Sequence, residues 1–335
     1  MTVKKMISYR SVWMGLAILW IMLFHSQISL PFPLNCLLFI GYGGVDIFLF
    51  ASGIGNYYSY LKDEAPLKFL KRRLYRLAPA YIPIILLWCL YYILYKEISV
   101  WAIIGNLFGV QYLSSSGTAF NWFFAGLLIC YLLTPYLAKF VQTHKLSANI
   151  LLVLVLVVIS LCFITDENLI IVMTRLPIYT IGMIFAKQED TNIRKRSVFL
   201  VGGFVIGNLL LFLSYRFLDE YLWSYGLHWY PFILIIPGAC WIISELSALC
   251  DKCFLSVVVR FAKFLGTFTF EMFLMYFFIL YLLNGQLDKM PYPNLLRAGV
   301  LVISIVFAFV YSLLVKLVLK MIRNSRNRQS VQKSK

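Results

Sequence analysis

Four ionisable residues interrupt otherwise apolar stretches. They are His25 in "LFHS", Asp46 in "GGVDIFLFASGIG", Arg175 in "TRLPIYTIGM" and Glu271 in "TFEMFLMY". Such groups are costly in a low-dielectric setting, so they mark chemistry or buried pairing. A neutral imidazole with one free ring nitrogen is a competent general base near neutral pH. On the helical face of His25, at i−4, i−7 and i−11, stand Ile21, Ile18 and Met14, so any partner must come from another helix. The plainer reading is a histidine bonded to a neighbouring helix or an interfacial carbonyl. Asp46 needs a donor, and His25 or an arginine would serve. Around it cluster Gly41, Gly43, Gly44, Ala51, Ser52, Gly53 and Gly55, small residues that let helix backbones approach closely. A phosphate cradle is the weaker reading, because no Lys follows and no strand precedes. Arg175 and Glu271 read either as groups that meet an acceptor or as a structural buried pair.

A fifth feature is the basic stretch "LKFLKRRLYRLAP". Leu70, Leu74 and Leu77 share one helical face, Lys68, Lys71, Arg72 and Arg76 gather on another, and Arg73 lies beside them. This is a cationic amphipathic helix at a membrane surface. It either anchors to lipid or clamps an anionic ligand, since guanidinium forks suit phosphates. Coenzyme A, with three phosphate groups, fits the second reading.

The elements that must position these residues are membrane helices. Of 335 residues, 61% are hydrophobic and 13% charged, and the mean hydropathy is +0.83. A soluble domain carries more charge. The fold class expected is all-α and polytopic, with ten transmembrane helices near 12–29, 35–57, 79–95, 119–138, 148–164, 168–186, 197–215, 229–247, 263–284 and 296–319. The stretch 98–117, interrupted by Gly and Asn, reads as interfacial or re-entrant. Barrel-type alternation is absent. The first apolar run lacks a small-x-small cleavage site, so it reads as a span rather than a leader.

With both termini placed in the cytoplasm, all of the 30 Lys and Arg residues fall inside except Lys96, Arg175, Arg216, Lys289 and Arg297. Glu97, Asp166, Glu167, Asp219, Glu220 and Asp288 fall outside. The net charge of +16 therefore faces inner-leaflet lipid rather than nucleic acid. A basic, frayed tail over 323–335 follows a single transmembrane domain over 1–322. The seven cysteines include one CxxC, Cys250 to Cys253, with no second pair and no nearby His, so no metal site is expected.

Six segments in order resemble the acyltransferase 3 family of bacterial membrane O-acyltransferases. They are "LFHS", "GGVDIFLFASGIG", "FLKRRLYRLAPAY", "WFFAGLLICYLLTPYL", "RLPIYTIGMIFAK" and "LGTFTFEMFLMYFFI". The resemblance implies a ten-span core in a bacterial plasma membrane. It implies transfer of an acyl group, commonly acetyl, from acyl-CoA to a hydroxyl, often of a cell-surface or lipid-linked glycan. Acyl-CoA enters as co-substrate and no bound cofactor is implied. The expected partners are the glycan acceptor, acyl-CoA and membrane lipid, with a homodimer among the expected assemblies.

On that basis His25 is the expected catalytic base or acyl carrier, oriented by Asp46. Arg72, Arg73 and Arg76 are the expected donor clamp, feeding a cleft between the first three spans. Two departures stand out. The family's Arg eleven residues before the His is Met14 here, with Arg10 one turn earlier on the same face. A late His of the family is Tyr276 here, while Glu271 is kept. A divergent acceptor, or a copy that has lost activity, would account for both. Transport of a glycan or small solute is the competing class, but the inverted repeats and paired broken helices frequent in transporters are not visible.

Overall fold

The computed structural model describes residues 2–115, 117–120, 122–192, 197–217, 227–283 and 286–333, with Asp288 and 325–333 described by their backbone alone. Of the charges counted above, Arg194, Lys195, Arg196, Asp219, Glu220 and Lys335 lie outside the described residues.

Among the described residues the chain is helical, with one isolated β-bridge between Thr2 and Asn192. The helices are α1 (Val3–Ile7), α2 (Arg10–Ser26), α3 (Leu34–Phe39), α4 (Gly44–Leu61), α5 (Pro66–Tyr95), α6 (Val100–Leu107), α7 (Gln111–Ser114), α8 (Trp122–Thr143), α9 (Leu146–Leu161), α10 (Glu167–Met173) and α11 (Leu176–Lys187). They continue as α12 (Ser197–Phe217), α13 (Pro231–Cys250), α14 (Ser256–Leu265), α15 (Thr269–Leu282) and α16 (Pro293–Lys333).

Among the described residues six helical segments, with α10 and α11 counted as one, are long and apolar enough to cross a membrane, and seven if α14 and α15 form one span bent by 71°. The expected ten is not reproduced among the described residues by length and composition. Helices α2 and α9 are apolar but have only 17 and 16 residues. Helix α4 has 18 residues, yet it spends several on Gly, Ser, Asn and Tyr.

Three boundaries differ from expectation. The basic stretch and the third span are one helix, α5, with 30 residues and with Pro79 and Pro83 inside it. Intramembrane helices tolerate proline, and here Tyr311 Oη of α16 donates to Ala80 O at 2.6 Å between the two prolines, tying the two helices together. The ninth span is broken at Gly266–Phe268. The last helix continues through the basic tail to Lys333, because neither Gly nor Pro follows Gly299 to stop it.

Helices α4 and α11 run parallel and touch at glycines. A Cβ on Gly53 would lie 2.0 Å from the Tyr179 carbonyl oxygen, and one on Gly182 would lie 2.2 Å from that of Phe50. Only hydrogen at these positions permits so close an approach. Gly53→Val should therefore push the helices apart and cost about 1–3 kcal/mol, read as a lowered unfolding midpoint of the purified protein. Helix α12 packs on α13 along one side, and most of its surface is apolar and exposed, as suits a lipid-facing helix.

Candidate functional site

The glycine contact sets the register of a charged pair. Asp46 lies seven residues before Gly53 on α4, and Arg175 lies seven before Gly182 at the start of α11. Seven residues are about two turns and ~10 Å of rise. In a parallel pair, both side chains then arrive at one level. Arg175 Nη1 lies 3.3 Å from Asp46 Oδ2, and both side chains are 2% exposed. Asp46 also stands in the first turn of α4, where the positive end of the helix dipole favours a carboxylate. The guanidinium is capped by the faces of Trp229 at 4.5 Å and Trp122 at 5.8 Å. The approach is not aligned for hydrogen bonding, so Asp46 Oδ2 and Arg175 Nε and Nη1 have no hydrogen-bond partner among the described residues.

The imidazole expected beside Asp46 is elsewhere. His25 stands in the last turn of α2, and its ring meets the edges of Phe24 at 4.8 Å and Phe277 at 4.7 Å. It makes no hydrogen bond to a described residue and is partly exposed. Asp46 therefore orients Arg175 rather than His25, because α4 presents it to α11. Tyr276 ties the same region together: its hydroxyl donates to the Met22 carbonyl at 2.8 Å, joining α15 to α2.

A cavity of about 880 Å³ opens among α2, α4, α5, α8, α15 and α16. It draws on more helices than the expected cleft between the first three spans. Arg10, Arg73, Arg76 and Lys316 line it, with Glu271 as the one carboxylate among its lining residues. Asn56, Tyr58, Ser59 and Tyr131 add polar groups, and Met14, Phe48, Phe123, Leu127 and Phe273 make its apolar part. Arg73 donates to the Gly55 carbonyl at 3.0 Å, stacks on Phe69 at 5.3 Å, and leaves its buried Nε without a partner. Arg76 also lines a second depression, of about 480 Å³, with Lys68, Lys71, Arg72 and Tyr75. Arg72 is held away from the larger cavity by an ion pair with Asp63 and a 2.8 Å bond to the Ser59 carbonyl. Of the three clamp arginines, Arg73 and Arg76 thus enter the large cavity, while Arg72 faces the outer groove.

Glu271 and Arg175, read as a possible pair, are separated: Arg175 belongs to Asp46, and Glu271 belongs to the cationic cavity. Met14 lines that cavity, and Arg10 lines it one turn away. From Met14 to His25 is eleven residues, ~16 Å along α2. His25 is not among the cavity's lining residues. Phe273 lines the cavity and lies 4.6 Å from Phe277, whose ring touches the imidazole. Aromatic side chains of α15 thus separate cavity and histidine.

Sequence reasoning missed Lys316. It fell within the expected last span, and an ionisable residue there is a site signal in its own right. It also missed His228, which is buried, stacks on Tyr215 at 4.4 Å, and has Ser214 Oγ 3.1 Å from Nδ1. No cluster of three or more metal-ligating side chains occurs among the described residues.

Comparison with known proteins returns one result that reaches across the bundle. No curated protein and no solved structure matches the chain. The acyltransferase 3 family, described as an acyltransferase domain, matches residues 13–319. That match includes the histidine and the cavity's lining residues apart from Arg10 and Ser11, and the chain belongs to the acyltransferase 3 family of membrane acyltransferases.

Proposed function

We propose that this protein moves an acyl group, acetyl first among candidates, from cytosolic acyl-CoA to a hydroxyl of a cell-surface or lipid-linked glycan in a bacterial plasma membrane. The observation that carries the reading is the cationic cavity. Four basic side chains facing one carboxylate suit a polyanion, and the apolar part beside them suits the arm that follows the phosphates. The positive-inside bias puts that end of the bundle in the cytoplasm, where acyl-CoA is found.

In this reading Arg10, Arg73, Arg76 and Lys316 hold the donor's phosphates, and the thioester arm extends along α2 past Phe273. His25 takes the proton of the acceptor hydroxyl as its oxygen attacks the thioester carbon. The carbon–sulfur bond breaks, the carbon–oxygen bond forms, and the proton passes from the imidazolium to the departing thiolate. Phe277 must yield for the two substrates to meet at the ring. Asp46 and Arg175 brace the helices around this path.

The test is kinetic. Arg73→Ala and Arg76→Ala should each raise the donor KM about tenfold or more, since a charge-assisted bond contributes ~1.5–3 kcal/mol, while the acceptor KM stays within about twofold. Donor KM values unchanged in both variants would mean that these arginines only anchor lipid.

A further inference from the structure

At the opposite end of α5 from its arginines, Trp88, Tyr91, Tyr92 and Tyr95 recur at i, i+3, i+4 and i+7, with Lys96 one residue beyond. An interfacial belt of Trp and Tyr is the common reason for such a stripe. Here the rings do more than meet headgroups. Trp88, Tyr91, Tyr92 and Lys96 join Tyr281 of α15 and the backbone at Gly117 and Ala119 around a pocket of about 290 Å³. Trp88 lies 4.8 Å from Tyr92 and 5.1 Å from Tyr281, and it is 3% exposed, far from a lipid-facing belt residue.

The walls are fixed. Trp88 Nε1 donates to the Thr118 carbonyl at 3.3 Å, and Tyr92 Oη donates to that of Gly117 at 3.2 Å. Buried Asn106 of α6 holds the same strip, through Nδ2 to Thr118 O and through Oδ1 from Phe120 N, both at 3.0 Å. The short helices α6 and α7 thus deliver 117–120 to the pocket. The hydroxyls of Tyr91 and Tyr281 make no hydrogen bond to a described residue. Lys96 Nζ sits 5.7 Å from the Tyr92 ring centre at the rim.

Aromatic faces, unspent hydroxyls and one cation suit a particular ligand. The C–H face of a pyranose lies flat on an aromatic ring, its hydroxyls bond phenol oxygens, and an acidic substituent pairs with an ammonium group. The pocket also communicates with the histidine: Tyr281 lies 6.3 Å from Phe277, and Phe277 lies 4.7 Å from His25. Phe273, Phe277 and Tyr281 form one stripe on α15, spaced four residues apart, from the cationic cavity past His25 to this pocket.

We infer that the pocket of Trp88, Tyr91, Tyr92, Tyr281 and Lys96 binds a pyranose ring bearing an acidic group, as the acceptor-side subsite of the transfer reaction. The inference rests on the proposed acyl transfer for its role, and on the pocket alone for its ligand.

Saturation-transfer NMR on the protein, in a detergent without a sugar headgroup, tests it with methyl β-glucuronide and methyl β-glucoside. Saturable transfer to the glucuronide ring protons is expected, with the glucoside binding more weakly. Tyr91→Ala and Lys96→Glu should each weaken glucuronide binding about tenfold, with acyl-CoA affinity retained as the sign of a folded protein. Lys96→Glu alters an exposed rim residue, so it remains informative if Tyr91→Ala fails to fold. No saturable binding by the unaltered protein, or equal binding by a folded variant of either kind, overturns the site and reduces the stripe to a membrane belt. Sugar binding lost in both variants of a protein that transfers nothing supports the subsite while removing the acyl-transfer role. Transfer with an unchanged acceptor KM in both variants removes the subsite alone.

Discussion

Arg175→Met should destabilise the folded protein by about 3–5 kcal/mol, the cost of leaving a buried charge without its partner. Asp46 has nowhere to turn: it is 1% exposed, and Arg175 is its only ion-pair partner among the described residues. The Trp229 and Trp122 faces lose their cation as well. Thermal or denaturant unfolding in detergent reads the loss directly. The double variant Asp46→Leu with Arg175→Met should recover most of it, because two apolar side chains of similar bulk remove both desolvation costs together. Transfer activity then separates two roles. If the pair is a brace between α4 and α11, stability and activity return together. If Asp46 or Arg175 also meets a substrate, stability returns and activity does not.

His25→Ala should lower kcat/KM for acyl transfer by a factor of about 10²–10⁴, the range of a lost general base. Its unfolding midpoint should barely move. The ring contributes two edge contacts with Phe24 and Phe277 and no hydrogen bond to a described residue, so little of the fold depends on it. Steady-state kinetics with acyl-CoA and a glycan acceptor, beside a melting curve, provides the check. Activity within about tenfold of the unaltered protein would end the assignment of His25 as base. The pairing of these two variants is itself diagnostic. Arg175→Met should fail first in stability, and His25→Ala should fail only in chemistry.

The sequence by itself determined the class of molecule. Apolar stretches long enough to cross a bilayer are legible in one-dimensional composition, because lipid tolerates only helices and closed barrels and the alternation a barrel needs is absent from this sequence. Six motifs in order were enough to point to the family, and the match over residues 13–319 agrees. The basic stretch could be placed on a helix face because leucines and arginines repeat at helical spacing.

Tertiary structure alone decided which polar groups meet. From sequence, Asp46 could pair with His25 or with an arginine, and Arg175 could pair with Glu271. The glycine register between α4 and α11 brings Asp46 to Arg175. The fold turns Glu271 instead toward Arg10, Arg73, Arg76 and Lys316. Helical periodicity tells which side of one helix a residue occupies, but not which neighbour that side faces. That depends on contacts between helices distant in sequence, set by where small residues let two backbones touch.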